Sequence, residues 1–429
     1  MRETISIQVG KCGILLGHEF WKKISVEHAI NPDGSFSFQG SSKKRGSKST
    51  FFRELSNGFY IPRTILFDLE PREIQTLKNG NYSKFYQEAD IANTIEGSGN
   101  NWSSGYIRTL EINREIEENI RKNAEKCDSI NNFSIFHSIT GGTGSGSSCV
   151  LLEILREFFP GKIINCYSLI PNQIEQSDIV VQPYNSVLSM RWLYYYSDCV
   201  ILFENESLNK IVQNENNVSE INYKELNSIV ANIVSKFTLP LRFNDYIETN
   251  FDNTISSLIP FPNLHFLFGA SSGHQTKGEK KLLEKIFPEN TRQLLKNKTI
   301  SSSWSSGKII SSLHLFKKKK ELNINSKILK KIYQDAGIKS INWGSISIQE
   351  INLNLLGLSN KTFFNETGLF NHSGVNDIFI KMRNQFDILK KRNAFLNNFL
   401  KEFSERDGQE IFEESRESIS KLISDYNNV

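Results

Sequence analysis

Cysteine is scarce and its placement shows no pairing pattern. The five residues, Cys12, Cys127, Cys149, Cys166 and Cys199, are odd in number and mostly set in apolar runs such as 148–152. No C-x-x-C pair and no Cys/His cluster occurs, which leaves little room for a zinc site and less for a disulfide framework. They read as core residues in a reducing compartment. A run of about 18 apolar residues is also missing, as is the apolar stretch of a signal peptide after Met1-Arg2-Glu3. The expectation is a soluble intracellular protein with no membrane partner, in which triplets such as Asn101-Trp102-Ser103 carry no sugar. Charge of one sign is lacking too: 51 Lys and Arg face 47 Asp and Glu, a net +4 that does not argue for a nucleic-acid partner. What is present is a globular composition, 38% hydrophobic over 429 residues, enough for roughly two or three domains. There is no internal repeat. Two basic stretches, Ser41 to Lys48 and Lys317 to Lys320, lack interleaved aromatics and read as solvated loops rather than binding patches.

The first half alternates strands with amphipathic helices. Strand patterns lie at Thr4–Gly10, Thr64–Phe67, Phe133–His137, Lys162–Leu169 and Cys199–Phe203. Between the second and third, Ile112, Ile116 and Ile120 recur every four residues in a helix expected over Leu110–Cys127. Such alternation predicts a parallel sheet covered on both faces, with ligands held in loops beyond the carboxyl ends of its strands. A long helix is expected from Ser219, with Ile221, Leu226, Ile229, Val230 and Ile233 on its apolar side. Strand patterns return at Leu264–Phe268, Ser312–Phe316 and Ser345–Ile348, and from about Asn371 the spacing is helical, broken at Asp407-Gly408. The expected division is a nucleotide-binding domain over 1–218, a connecting core helix over 219–240, an intermediate α/β domain over 241–370, and a helical region over 371–429.

The strongest local signal is Thr140-Gly141-Gly142-Thr143-Gly144-Ser145-Gly146, after the third strand and before a helical pattern. Glycines let backbone N–H groups close around an anion, and the helix N-terminus adds unpaired donors and a positive dipole end. Phosphate is the natural guest, although a tight turn also needs glycine. The Walker pattern is excluded because Ser147 and Ser148, not Lys, follow Gly146, and the dinucleotide G-x-G-x-x-G spacing is absent. A second glycine-rich loop, 97–102, offers further donors. Asp68 and Glu70 at a strand end fit either a hydrated magnesium ion beside the phosphates or a solvated acid pair. Asp178, Asn205, Tyr223 and Asn227 are of types that bind ribose and base, or serve as ordinary surface and capping residues. His137 reads as structural.

Taken together, Gly10-Lys11-Cys12-Gly13, Asp68-Leu69-Glu70-Pro71-Arg72, 97–102, 141–146, Val180-Val181-Gln182-Pro183-Tyr184-Asn185 and 258–266 resemble the tubulin superfamily over nearly the whole chain. Within it, Glu19-Phe20-Trp21-Lys22-Lys23, Glu27 to Gly34, Gln182, Trp343 to Gln349 and Lys391 to Leu396 are most similar to the gamma-tubulin family. The chain also ends at Val429 without the glutamate-rich tail of the alpha and beta families.

The resemblance implies the tubulin-like fold and a site for GTP or GDP with magnesium. Thr140, Gly141, Gly142, Thr143, Gly144, Ser145 and Gly146 would wrap the phosphates, helped by Gly10, Lys11, Cys12, Asn100 and Asn101. Asp68 and Glu70 would stand toward the metal. Asp178 and Asn205 would face the ribose, Tyr223 would stack on guanine, and Asn205 and Asn227 would read its edge.

It further implies microtubule nucleation at a microtubule-organising centre, the spindle pole body or centrosome, in the cytoplasmic cytoskeleton and the mitotic spindle. The partners would be gamma-tubulin complex proteins, alpha/beta-tubulin dimers and lateral copies of the chain itself in a ring. Lys11 and Ile14 depart from the usual Gln and Asn. The loop that completes a neighbour's site, G-x-x-N-x-D in the family, is Asp245-Tyr246-Ile247-Glu248-Thr249-Asn250, and Asn253 stands where alpha-tubulin has its activating glutamate. An amide cannot accept a proton from water, so at most a weak GTPase is expected. The competing expectations are a polymerising GTPase of the alpha/beta or bacterial division type, and an unrelated α/β nucleotide enzyme.

Overall fold

The computed structural model describes residues 2–37, 47–170, 180–216, 222–243, 251–271, 291, 294–295, 300–301, 307–317, 326–351 and 366–429. Strand β1 (Glu3–Val9) is buried along its whole length and runs directly into helix α1 (Gly10–His28). A small hairpin, β2 (Phe52–Glu54) and β3 (Tyr60–Pro62), precedes β4 (Thr64–Asp68) and the short helix α2 (Arg72–Lys78). Then come β5 (Ile91–Asn93), α3 (Trp102–Glu111), α4 (Asn113–Glu125), β6 (Ile130–Ser138), α5 (Ser148–Phe158), β7 (Ile163–Ile170), α6 (Gln182–Tyr196), β8 (Cys199–Glu204) and α7 (Asn205–Asn216). The remainder holds α8 (Tyr223–Arg242), α9 (Phe251–Leu258), β9 (Phe266–Ser271), β10 (Lys308–Lys317), α10 (Ser326–Asp335), β11 (Lys339–Ser340), β12 (Ile346–Ile351), β13 (Glu366–His372), α11 (Asn376–Lys391), α12 (Leu396–Leu400) and α13 (Glu405–Asn427).

Apart from the hairpin, the strands join one 11-stranded sheet in the order β11-β10-β13-β9-β8-β7-β6-β1-β4-β5, with β12 also on β10. From β5 to β9 all neighbours are parallel, while β13 is antiparallel to both β9 and β10. This is the mixed α/β architecture expected, with the parallel part amino-terminal and helices on its faces. The chain leaves β1 for β4 on one side and returns to β6 on the other, so a topological switch point falls between β1 and β6. Crevices at such points lie beyond the strands' carboxyl ends and are where open α/β sheets hold ligands.

Helix α8 packs along α1, and its far end is fixed by Arg242, whose guanidinium donates to Glu27 at 2.7 Å with both side chains buried. The carboxy-terminal helices α11 and α13 lie on α6. There Tyr184 meets Phe386, Phe399 and Phe412 edge-on at 5.2–5.4 Å between ring centres. Among the described residues no helix is long and apolar enough to cross a membrane.

Three expectations about elements are corrected. The helix read over Leu110–Cys127 is two, because Ile112 (φ −103°, ψ 17°) leaves helical geometry and lets α4 turn Ile116 and Ile120 into the core on a new axis. Asn371 and His372 belong not to a helix but to β13. That strand escaped notice because its buried residues include Glu366, Thr367, Asn371 and His372, which break the apolar run of a central strand. Asp407-Gly408 does not interrupt the last helix. Ser404 caps α13 by accepting from the Asp407 N–H, and Gly408 sits so tightly on α12 that a Cβ there would lie 2.5 Å from Leu400 Cδ2. Cys149, Cys166 and Cys199 are core residues, whereas Cys12 and Cys127 are half-buried; all five are free thiols. Of the basic stretches, residues 41–46 and 318–320 lie outside the described residues. Lys48 is held over the rings of Phe36 and Tyr60, at 3.6 and 4.4 Å from their centres.

Candidate nucleotide-binding site

The loops leaving β1, β4 and β6 meet at the switch point because these strands are adjacent, and glycine is what lets them meet. Gly10, at φ +69°, turns β1 into α1, and a Cβ on it would stand 3.0 Å from the Gly144 N. A Cβ on Gly144 would lie 2.7 Å from the Ser138 carbonyl oxygen, and one on Gly142 would lie 2.6 Å from the Asn101 N. Contacts under about 3 Å are closed to any side chain, so backbone packs on backbone here. Residues Thr143–Ser147 form a single wide turn of π-helix before α5 takes over. Such turns recur at functional sites, and the first N–H groups of a helix have no partner within it. The result is a rim of backbone donors at a helix start, suited to an anion.

Two side chains hold this rim in place. Asn185, at the start of α6 and fully buried, donates from Nδ2 to the Thr140 carbonyl (2.7 Å) and the Asn100 carbonyl (2.9 Å), while its Oδ1 accepts from the Trp102 N–H (3.0 Å). One amide thus ties both glycine loops to a helix. Ser98 and Thr143 add a hydroxyl pair at 3.2 Å. Below the rim, buried His137 bridges the Gly144 carbonyl through Nδ1 (3.1 Å) and the Ser168 hydroxyl through Nε2 (2.7 Å). Burial pushes its pKa down to about 4, so the ring is neutral. A neutral ring satisfies both bonds if Nδ1–H donates to Gly144 and Nε2 accepts from Ser168.

At the mouth beside the rim stand carboxylates. Asp68 ends β4 almost wholly buried, and burial pushes its carboxyl up to about 7. The Glu70 N–H, donating to Oδ1 at 3.3 Å, opposes that rise, while the charge of Glu70 adds to it. Glu70 is exposed and its carboxylate lies over Gly97, whose own carbonyl is held by Arg108. Lys11, in the first turn of α1, reaches Glu73 of α2 at 3.0 Å.

On the other side, β8 ends about 10 Å from β6, two strand spacings away. Asn205 follows it directly. Its Oδ1 is buried and has no hydrogen-bond partner among the described residues. Such an orphaned acceptor costs free energy unless a ligand satisfies it. Helix α8 starts with Tyr223, 74% exposed, and buries Asn227 one turn on.

The structure therefore brings Gly10, Lys11, Asn100, Asp68, Glu70 and Thr140 to Gly146 to one crevice, with Asn205, Tyr223 and Asn227 on the elements beyond it, while Cys12, next to Lys11 in α1, packs its side chain against the hydrophobic core. Asp178 lies outside the described residues. Asn101 is at the crevice, and its amide also has structural partners: Oδ1 caps α3 by accepting from the Ser103 N–H and Nδ2 donates to the Asn398 carbonyl, each at 3.0 Å. Three residues of the site were not singled out from the sequence as its parts. Asn185 was legible only as part of a motif, Ser98 only as part of a glycine loop, and Glu73 gave no signal.

A nucleoside phosphate fits this geometry: glycine loops packed backbone against backbone, a helix start, and, among the described residues, an orphaned amide acceptor set apart from them for a base with N–H donors. Magnesium fits only as an ion carried by the nucleotide. Among the described residues no group of three or more His, Cys, Asp or Glu is set to hold a metal alone, and such ions commonly complete their shell with phosphate oxygen and water.

Fold and crevice thus define a nucleotide-binding α/β protein whose phosphate loop follows the strand beside β1. Residues 3–213 match the model of the Tubulin/FtsZ family, GTPase domain. That half of the chain is a GTPase domain of this family, and the protein is a tubulin-like GTP-binding protein.

Proposed function

We propose that this protein is a gamma-tubulin-like nucleator, which holds GTP and presents its nucleotide face to an incoming alpha/beta-tubulin dimer while copies of the chain stand side by side in a ring. Backbone N–H groups of Thr140 to Gly146, together with the start of α1, would hold the phosphates. Asp68 and Glu70 would stand toward a magnesium ion borne by them, which neutralises phosphate charge when bound. Tyr223 would stack on guanine, and the Asn205 and Asn227 amides would read its edge, guanine offering the N–H donors that the Asn205 Oδ1 lacks among the described residues. Work at a microtubule-organising centre, with gamma-tubulin complex proteins as recruiters, belongs to the same reading.

The observation that carries the nucleating role over a polymerising GTPase is Asn253. It is exposed in the first turn of α9, the resemblance aligns it with the activating glutamate of alpha-tubulin, and an amide cannot act as the base. The preceding loop, 245–250, which departs from the family pattern in sequence, lies outside the described residues. The sequence likeness to the gamma branch supports the same choice.

Two measurements test this. Chromatography of the small molecule released on denaturing the purified protein should give GTP or GDP. Complexes carrying the chain should shorten the lag of alpha/beta-tubulin assembly. An unchanged lag with guanine nucleotide bound would remove the nucleating role and leave the site standing. Sustained GTP turnover with filament formation by the isolated chain would favour the polymerising reading.

A further inference from the structure

Lys11 is a cation at the phosphate rim whose present partner is cheap to leave. Its side chain is 66% exposed and its ammonium lies 3.0 Å from one oxygen of Glu73, itself 15% exposed. An ion pair open to solvent on one side contributes little, so exchanging that oxygen for a phosphate oxygen costs little. The residue before it, Gly10, touches Gly144 of the phosphate loop, which places the root of the side chain against the rim. Its tip reaches the first turn of α2, beside the end of β4, where Asp68 and Glu70 stand. Glu70 and Glu73 therefore stand, with the buried Asp68 between their elements, at the edge of a site that also has to accept a polyphosphate. The charge of those two carboxylates and of the phosphates has to be met by cations, and Lys11 is one the chain supplies itself, on an arm long enough to swing from Glu73 to a phosphate.

We infer that Lys11 serves as a built-in counter-cation for the outer phosphates, so that nucleotide retention in this protein depends less on a divalent cation than it would with a neutral residue at position 11. This rests on reading the crevice as a guanine-nucleotide site. A Lys–phosphate contact is a charge-assisted hydrogen bond, worth roughly ten- to a hundredfold in affinity. Magnesium and Lys11 neutralise the same oxygens, so the loss from removing both exceeds the sum of the two losses taken singly.

The test is a cycle of Lys11 against metal. Affinities for GTP are measured by equilibrium dialysis, in magnesium and in EDTA, for the full chain, Lys11→Gln and Lys11→Arg, with a thermal unfolding midpoint for each. The expected result is a modest loss for Lys11→Gln in magnesium. Its penalty on chelation should exceed the wild-type penalty by about tenfold or more, with Lys11→Arg close to wild type. Chelation penalties equal within about twofold for wild type and Lys11→Gln, or Lys11→Arg no better than Lys11→Gln, would overturn the inference. If the wild-type protein binds no GTP even in magnesium, the site itself is misread and both conclusions fall, a result distinguishable from either of the others.

Discussion

Replacing Asn185 by alanine tests the architecture of the site without touching any group that faces the ligand. The wild-type amide makes three hydrogen bonds of 2.7–3.0 Å to the Thr140 carbonyl, the Asn100 carbonyl and the Trp102 N–H. A buried hydrogen bond contributes about 1 kcal/mol net, and a buried partner left unpaired costs about 1–3 kcal/mol. Losing all three therefore costs about 3–5 kcal/mol if the loops stay put, and less if they part and let water in. Parting is the cheaper course, and it is what releases the nucleotide. The expected outcome is a nucleotide dissociation rate raised about a hundredfold, equivalent to about 2.7 kcal/mol of the total, with a smaller fall in the urea midpoint. Asn185→Asp is the sharper variant. It keeps the shape and the acceptor for Trp102 but sets a carboxylate against two carbonyl oxygens, and should do worse than alanine. Chase experiments with labelled GDP read the rate, and urea titration of the same samples reads the fold. A release rate within about threefold of wild type in a folded Asn185→Ala, or an aspartate variant that behaves as wild type, would refute the reasoning.

Gly144→Val places a branched side chain where even a Cβ lies 2.7 Å from the Ser138 oxygen, so purified protein should carry no nucleotide; wild-type nucleotide content would remove Gly144 from the cradle. Asn205→Ala deletes an amide oxygen that has no partner among the described residues to lose, so GTP affinity should fall by about tenfold while the unfolding midpoint holds; equal affinity would dismiss Asn205 as a base reader. His137 is buried neutral with a folded pKa of about 4 against an ordinary 6.5. Between those values the unfolded chain binds a proton that the folded one refuses. Its stabilising contribution is therefore whole above pH 6.5 and is lost as pH falls to 4, by up to about 3 kcal/mol. Urea midpoints from pH 7 to 4 should decline more steeply for wild type than for His137→Gln, and parallel declines would count against it.

Much of the parallel half was legible because its strands are either short alternating or apolar runs and its crossovers carry a helical period. Val9-Gly10 and Ser138 to Gly146 announced the site because a backbone that must touch backbone has few residue choices besides glycine. The failures share a cause. Strand β13 is central and wholly buried, yet Glu366 pairs there with His314, and the Asn371 Nδ2 donates to the Leu258 and Leu264 carbonyls, an arrangement that a hydropathy pattern cannot show. Gly408 was read as a breaker when packing on Leu400 is what demands it. Asn185 and Glu73 act through partners over 40 residues away in sequence, and no local spacing foretells that.

The carboxy-terminal helices are part of the wall of this site, and neighbouring residues explain how. On α6, Tyr184 points its ring among Phe386, Phe399 and Phe412, while Asn185, the next residue, fastens the two phosphate loops. A shift of α6 that repacks the first must strain the second, since consecutive helical residues cannot move independently. A second connection runs outside α6. Asn101 donates to the Asn398 carbonyl, Ser104 to Glu402 at 2.9 Å, and the Trp102 ring lies parallel to Phe403 at 6.2 Å between centres. The loop over 97–102 and the start of α3 are thus held from one side by α6 and from the other by α12 and the turn that follows it. Both connections join the outer helical layer to the glycine loops of the candidate site. The rigidity of the cradle is therefore a property of the whole chain and not of residues 3–213 alone.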